Sequence, residues 1–199
     1  MIDTVRLRLA AAVLALLGLA VPVAGAAAPG AAGGPGLPAG RNPAGRDPVA
    51  RDPAAQAAGL FMQSCVRYAA HPHGLRQWAA GHHLRQVPAP YANSFLYGLA
   101  GIVYDASTRA GKLVLVSQDS GSCSVVADHA RGAALLHRLD TDLKSAGITY
   151  TITADGPDPQ EKSLHNRAYD AAFGTRRWLM LVSTVRNPAG GEAMLTTNP

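Results

Sequence analysis

From Ala27 to Asp52 the chain is built mostly of Ala, Gly and Pro, and this limits what can fold. Such a stretch has no large apolar side chains to bury, so nothing offsets its ordering entropy. It holds a repeat at five-residue spacing: Arg41-Asn42-Pro43, Arg46-Asp47-Pro48 and Arg51-Asp52-Pro53. The composition predicts either a partly extended spacer or a low-complexity tail without a spacing role. Any core must therefore come from residues 53–199, the usual size of one domain.

Residues 1–26 have the layout of a secretory signal peptide. Arg6 and Arg8 form a charged start, Leu9 to Val21 an apolar centre, and Pro22 breaks the run. Ala24-Gly25-Ala26 supplies small residues for cleavage, with Ala26-Ala27-Ala28 a close alternative. The apolar run falls short of the roughly 20 residues that span a bilayer. An uncleaved anchor is the other reading of the same residues. No cysteine follows the run to take a lipid, and no second long apolar segment exists. The expected location is periplasmic or secreted, after cleavage.

Export decides how the two cysteines are read. Cys65 and Cys123 are the only ones, and outside the cytoplasm paired thiols tend to oxidise. One intramolecular bridge is expected; two buried free thiols are the alternative. Closing a loop of this size contributes on the order of 4 kcal/mol in the chain-entropy description. Two cysteines are too few for a thiolate zinc site, and their spacing excludes a C-x-x-C redox pair.

Asp52 as N-cap and Pro53 as first helical residue predict a helix that carries Phe61, Cys65 and Tyr68 on its inner side and ends at His71-Pro72. A second helix is expected near Leu75–Ala80, with Gly81 as its cap. Pro88 and Pro90 predict an irregular link. Strands are expected at Phe95–Ala106, Lys112–Gln118 and Ser122–Ala127, the last two joined through Asp119-Ser120-Gly121. Asp128 then caps a helix over His129–Ala146. Ile148–Ala154 alternates apolar residues with three threonines, as a half-exposed strand does. Further strands are expected near Asn166–Phe173, Arg176–Val185 and Ala193–Thr196. The order predicts an α+β domain: an antiparallel sheet of about five to seven strands, with two N-terminal helices and one central helix packed against it.

Catalytic constellations are weak. "QDSGS" resembles the nucleophile motif of trypsin-like serine proteases, and "YAAHP" resembles their histidine motif. Yet His71 and Ser120 stand 49 residues apart, whereas that family separates the pair by well over a hundred. The chain is also too short for two barrels, so Ser120 reads as a turn residue. Cys123, with His129 nearby, would need a lowered pKa and a base to act as nucleophile, and a disulfide accounts for it better. His71, His73, His82 and His83 fall within thirteen residues. Such residues can bind zinc, copper or nickel, but the spacing matches no metal signature, and surface histidines are the simpler reading. Asp105, Asp119 and Asp128 are dispersed, no phosphate-cradling glycine loop is present, and no cofactor is implied. The formal charge of +5 is modest and unclustered, which argues against nucleic acid.

Taken together, "LFMQSCV", "LRQWA", "VYDAS", "LVLVSQDSGSCSVVA", "WLMLVST" and "AMLTT" resemble a family of small exported bacterial proteins and lipoproteins of uncharacterised activity. In it a helix cysteine and a Gly-Ser-Cys-Ser strand cysteine recur. The resemblance covers about Leu60 to Leu195; it implies the Cys65–Cys123 pair and no catalytic residue. Some members are lipid-anchored, whereas this chain lacks the cysteine for it. The expected function is a non-catalytic binding module acting on an unknown protein or envelope component. The alternative is a small exported hydrolase or metal enzyme using Ser120 or His71, His73, His82 and His83.

Overall fold

Asp52 and Pro53 open the first helix as their side chains predict. The Asp52 carboxylate accepts from the Ala54 N–H at 3.0 Å, and Pro53 occupies a position that needs no N–H. The computed structural model describes residues 52–185 and 191–199. The leader expected at 1–26, and residues 27–51 of the expected spacer, lie outside the described residues.

The first helix, α1, is Pro53–Phe61, and it runs on into a π-helical turn, Met62–Val66. That turn holds Cys65 fully buried. α2 is Pro72–Gly81, α3 is Ala89–Leu96 and α4 is Gly132–Ser145. The eight strands are β1 Arg85–Gln86, β2 Gly101–Asp105, β3 Leu113–Gln118, β4 Cys123–Ala130, β5 Thr149–Pro157, β6 Leu164–Phe173, β7 Arg176–Val185 and β8 Gly191–Asn198. They form one sheet in the order β1-β2-β3-β4-β8-β7-β6-β5, with every neighbouring pair antiparallel. The α+β class is as expected.

The larger differences from expectation are four, beside shifts of a few residues such as α2 running through Gly81 to a cap at His82. His71-Pro72 begins α2 instead of only ending α1, because proline at the first helical position loses no hydrogen bond. The link at Pro88 and Pro90 is the helix α3, with both prolines at its start. The strand expected from Phe95 begins only at Gly101, because Tyr97 (φ 51°) and Gly98 (φ 81°) take left-handed backbone. The helix expected from Asp128 starts at Gly132, because β4 continues through a bulge to Ala130, with His129 at φ 60°. Together with β1 this makes eight strands and four helices among the described residues, against the five to seven and three expected.

The core lies between the sheet and α1, α2 and α4. Leu135, Leu139 and Leu143 recur at helical spacing on α4 and are fully buried. Burial of one such side chain contributes about 1.5–3 kcal/mol. They meet Phe61, Leu75, Leu115, Val125, Tyr169, Met180 and Leu195 in one cluster. α3 packs on the other face, where Ala92 and Leu96 meet Val103 and Val116. The disulfide Cys65–Cys123 crosses from the π-helical turn to the first residue of β4, with Cα atoms 5.2 Å apart. Gly121, at φ 93°, lets the β3–β4 turn press on the segment between the π-helical turn and α2; a Cβ there would stand 3.3 Å from the Ala70 Cα.

β5 is an outer edge. Its threonines Thr149, Thr151 and Thr153 are exposed, as the alternation predicts. Ile152 is exposed as well, at 42 %, on a strand that carries a bulge between Ile152 and Ala154.

Candidate functional site

α2 presents two stripes. Leu75 and Ala79 point to the core and are fully buried. His73, Arg76, Gln77 and Ala80, at the i, i+3, i+4, i+7 spacing of one helix face, line an open groove. Its opposite wall and floor come from Leu84 and Gln86 around β1 and from Ile102 and Tyr104 on β2. Alternate strand residues share a face, which places Ile102 and Tyr104 side by side. The groove has a volume of about 360 Å³. That is within the range of small-molecule sites.

Arg76 is the fixed point of this groove. Its Nε donates to the Ser117 hydroxyl at 3.3 Å and its Nη2 to the Ser117 carbonyl at 3.3 Å. Nη2 also donates to the Asp119 carboxylate. Nη1 makes no hydrogen bond among the described residues. Tyr104 is 3 % exposed, yet it lines the groove and its hydroxyl has no hydrogen-bond partner among the described residues. Burial raises the Tyr104 pKa, and the nearby Arg76 charge offsets this in part. The phenol is therefore protonated and able to donate near neutral pH. Around it stand the amides of Gln77 and Gln86 and the apolar surface of Ala80, Leu84 and Ile102.

The residues singled out from sequence lie as follows. Cys65 and Cys123 are joined, and neither is a free thiol. Ser120 sits in the β3–β4 turn; its hydroxyl donates to Gln118 Oε1 at 3.3 Å and accepts from the Ser122 N–H at 3.4 Å. Both are turn contacts, and neither partner is a base. His71 and His73 stand at the start of α2, while His82 and His83 follow its end, so roughly 13 Å of helix separates the pairs. His82 stacks on Trp78, with ring centroids 4.3 Å apart. Among the described residues no three His, Cys, Asp or Glu side chains gather as a metal site.

A second polar constellation has no counterpart in the sequence reading. Arg167 on β6 donates to Asp140 of α4 at 3.1 Å and to Asp155 of β5 at 2.7 Å. Tyr169 donates to Asp140 at 3.2 Å, and His165 Nε2 lies 2.7 Å from Asp155. The Arg167 hydrogen bond holds the Asp155 carboxyl below the usual carboxylate range, and burial pushes the Tyr169 phenol up. These bonds tie α4 to the β5–β6 ladder, although the buried Arg167 Nε has no partner among the described residues. Groove and network both escaped the sequence because their members, such as Arg76 and Asp119 at 43 positions or Tyr169 and Asp140 at 29, are brought together without any motif spacing. The only usable signal was the polar stripe of α2.

Compared with protein-family models, with curated proteins and with solved structures, the chain matches none.

Proposed function

We propose that the protein is an exported binding module without catalysis, periplasmic or secreted, of the kind seen in the small exported bacterial proteins it resembles. One observation carries the reading. The groove between α2 and the β1–β2 edge is open to solvent and is lined by the Tyr104 phenol, whose hydroxyl has no partner among the described residues, and by the positioned Arg76. That hydroxyl is reached from solvent, so it is free to bond a molecule that enters the groove. The walls carry no nucleophile with an adjacent base, so the groove fits holding a molecule better than converting it. The disulfide suits an oxidising compartment, and among the described residues no helix is long and apolar enough to cross a membrane.

The test is a titration of the ¹⁵N-labelled protein with fractionated envelope extract, followed by NMR. The expected result is a fraction that shifts the resonances of α2 and β2. The shifts should vanish in Ala80→Trp, which fills the groove from an exposed position without entering the core. If every active fraction acts equally on the Ala80→Trp protein, the groove is not the binding site.

A further inference from the structure

We propose that the groove takes a ligand with a carboxylate, seated between Arg76 Nη1 and the Tyr104 hydroxyl, and with an apolar portion laid along Ala80, Leu84 and Ile102. This rests on the groove being the binding site.

Two residues that line the groove carry donors without acceptors among the described residues. Ser117 and Asp119 take the Nε and Nη2 donors of Arg76, which fixes the guanidinium at the groove and leaves Nη1 without a partner among the described residues. A guanidinium has no acceptor atom, so whatever binds at Nη1 must offer lone pairs. Tyr104 adds a second donor, a hydroxyl that also has no partner among the described residues, carried on a ring held in the core. A carboxylate supplies two oxygens in one plane, one for each donor, and charge-assisted bonds of this kind are about twice as strong as neutral ones. Asp119 does not cancel the preference. Its side chain is 57 % exposed, whereas that of Arg76 is 21 % exposed, so water screens the acid more than the base. The guanidinium is also held before the ligand arrives, which lowers the ordering cost of binding. The apolar floor beside this pair sets the second requirement, a hydrocarbon portion on the acid.

N-acetyl-leucine carries both parts, and N-acetyl-leucinamide differs from it only at the acid. Each is titrated into the ¹⁵N-labelled protein, with the resonances of Gln77, Gln86 and Tyr104 as readout. The acid should shift them saturably, and the amide should bind about tenfold more weakly. Tyr104→Phe keeps the ring and removes the hydroxyl; it should weaken the acid by roughly fivefold or more and leave the amide unchanged. If acid and amide bind alike, or if Tyr104→Phe does not affect the acid, the carboxylate assignment is wrong, while a groove that binds remains. If neither compound shifts a groove resonance, the assignment also falls, and the extract titration with Ala80→Trp decides separately whether the groove binds anything.

Discussion

Cys65, buried in a π-helical turn, is bonded to Cys123, the first residue of a strand in the middle of the sheet. The bond spans 58 positions of sequence and joins the helical layer to the sheet. Its removal should therefore loosen the two layers together. Cys65→Ser or Cys123→Ser is expected to lower stability by about 2–5 kcal/mol. Urea unfolding under non-reducing conditions checks this; a serine variant as stable as the parent would show that the bond is not a staple.

Arg167 should matter more than its place near the surface suggests. Its side chain is 19 % exposed and bonds two carboxylates on different elements. Arg167→Ala leaves Asp140 and Asp155 facing each other's field, and is expected to cost on the order of 2 kcal/mol. Arg177, 73 % exposed and paired with Asp170, serves as contrast: Arg177→Ala should change stability by no more than about 0.5 kcal/mol. Equal losses in the two variants would mean the network does not lock α4.

Acid should unfold the protein through the β5–β6 connection. Asp158 accepts from the backbone N–H of Glu161 at 2.9 Å and of Gln160 at 2.8 Å, and from Asn166 Nδ2 at 2.8 Å. These bonds, that from Glu161 first, hold its carboxyl below the ordinary carboxylate range, as Arg167 does for Asp155. A carboxyl depressed in the folded state stabilises above its unfolded value of about 3.9, and that stabilisation is lost as pH falls through the folded value. The melting temperature should hold from pH 7 to roughly pH 4 and fall below it. Asp158→Asn should show a lower plateau and a shallower acid limb; an unchanged limb would place the acid lability elsewhere.

Ser120 should prove chemically inert. A fluorophosphonate probe is expected to label neither the parent nor Ser120→Ala, and the substitution should shift stability by less than about 0.5 kcal/mol, as exposed turn positions do. Labelling of the parent that is lost in Ser120→Ala would establish a hydrolase instead.

The local signals of this chain were legible and the long-range ones were not. Asp52-Pro53 marked the start of α1, and the leucines of α4 and the alternation before β5 marked their elements. The two cysteines, once export was inferred, implied their own pairing. What failed was the treatment of proline. Pro72, Pro88 and Pro90 open helices, and proline at a helix start looks the same in sequence as proline in a loop. The groove was hidden for a related reason. Its floor needs β1, a strand of two residues placed just before Pro88, to fold back on Asp105 and Tyr104. No periodicity can show in two residues. The Asp140–Arg167–Asp155 network depends on helix and strand lying at one height, which only the packed fold determines.

β8, the last strand in sequence, is not last in space. It fills the gap between β4 and β7, so it joins the ladder β1–β4 to the ladder β5–β7. A chain emerging amino end first, from a ribosome or a translocation pore, can form each ladder alone but cannot unite them until Gly191–Asn198 arrives. Completion of the sheet thus waits for β8, after every other strand has emerged. Until then two open strand edges face one another, and a strand borrowed from a neighbouring molecule could fill the place meant for β8.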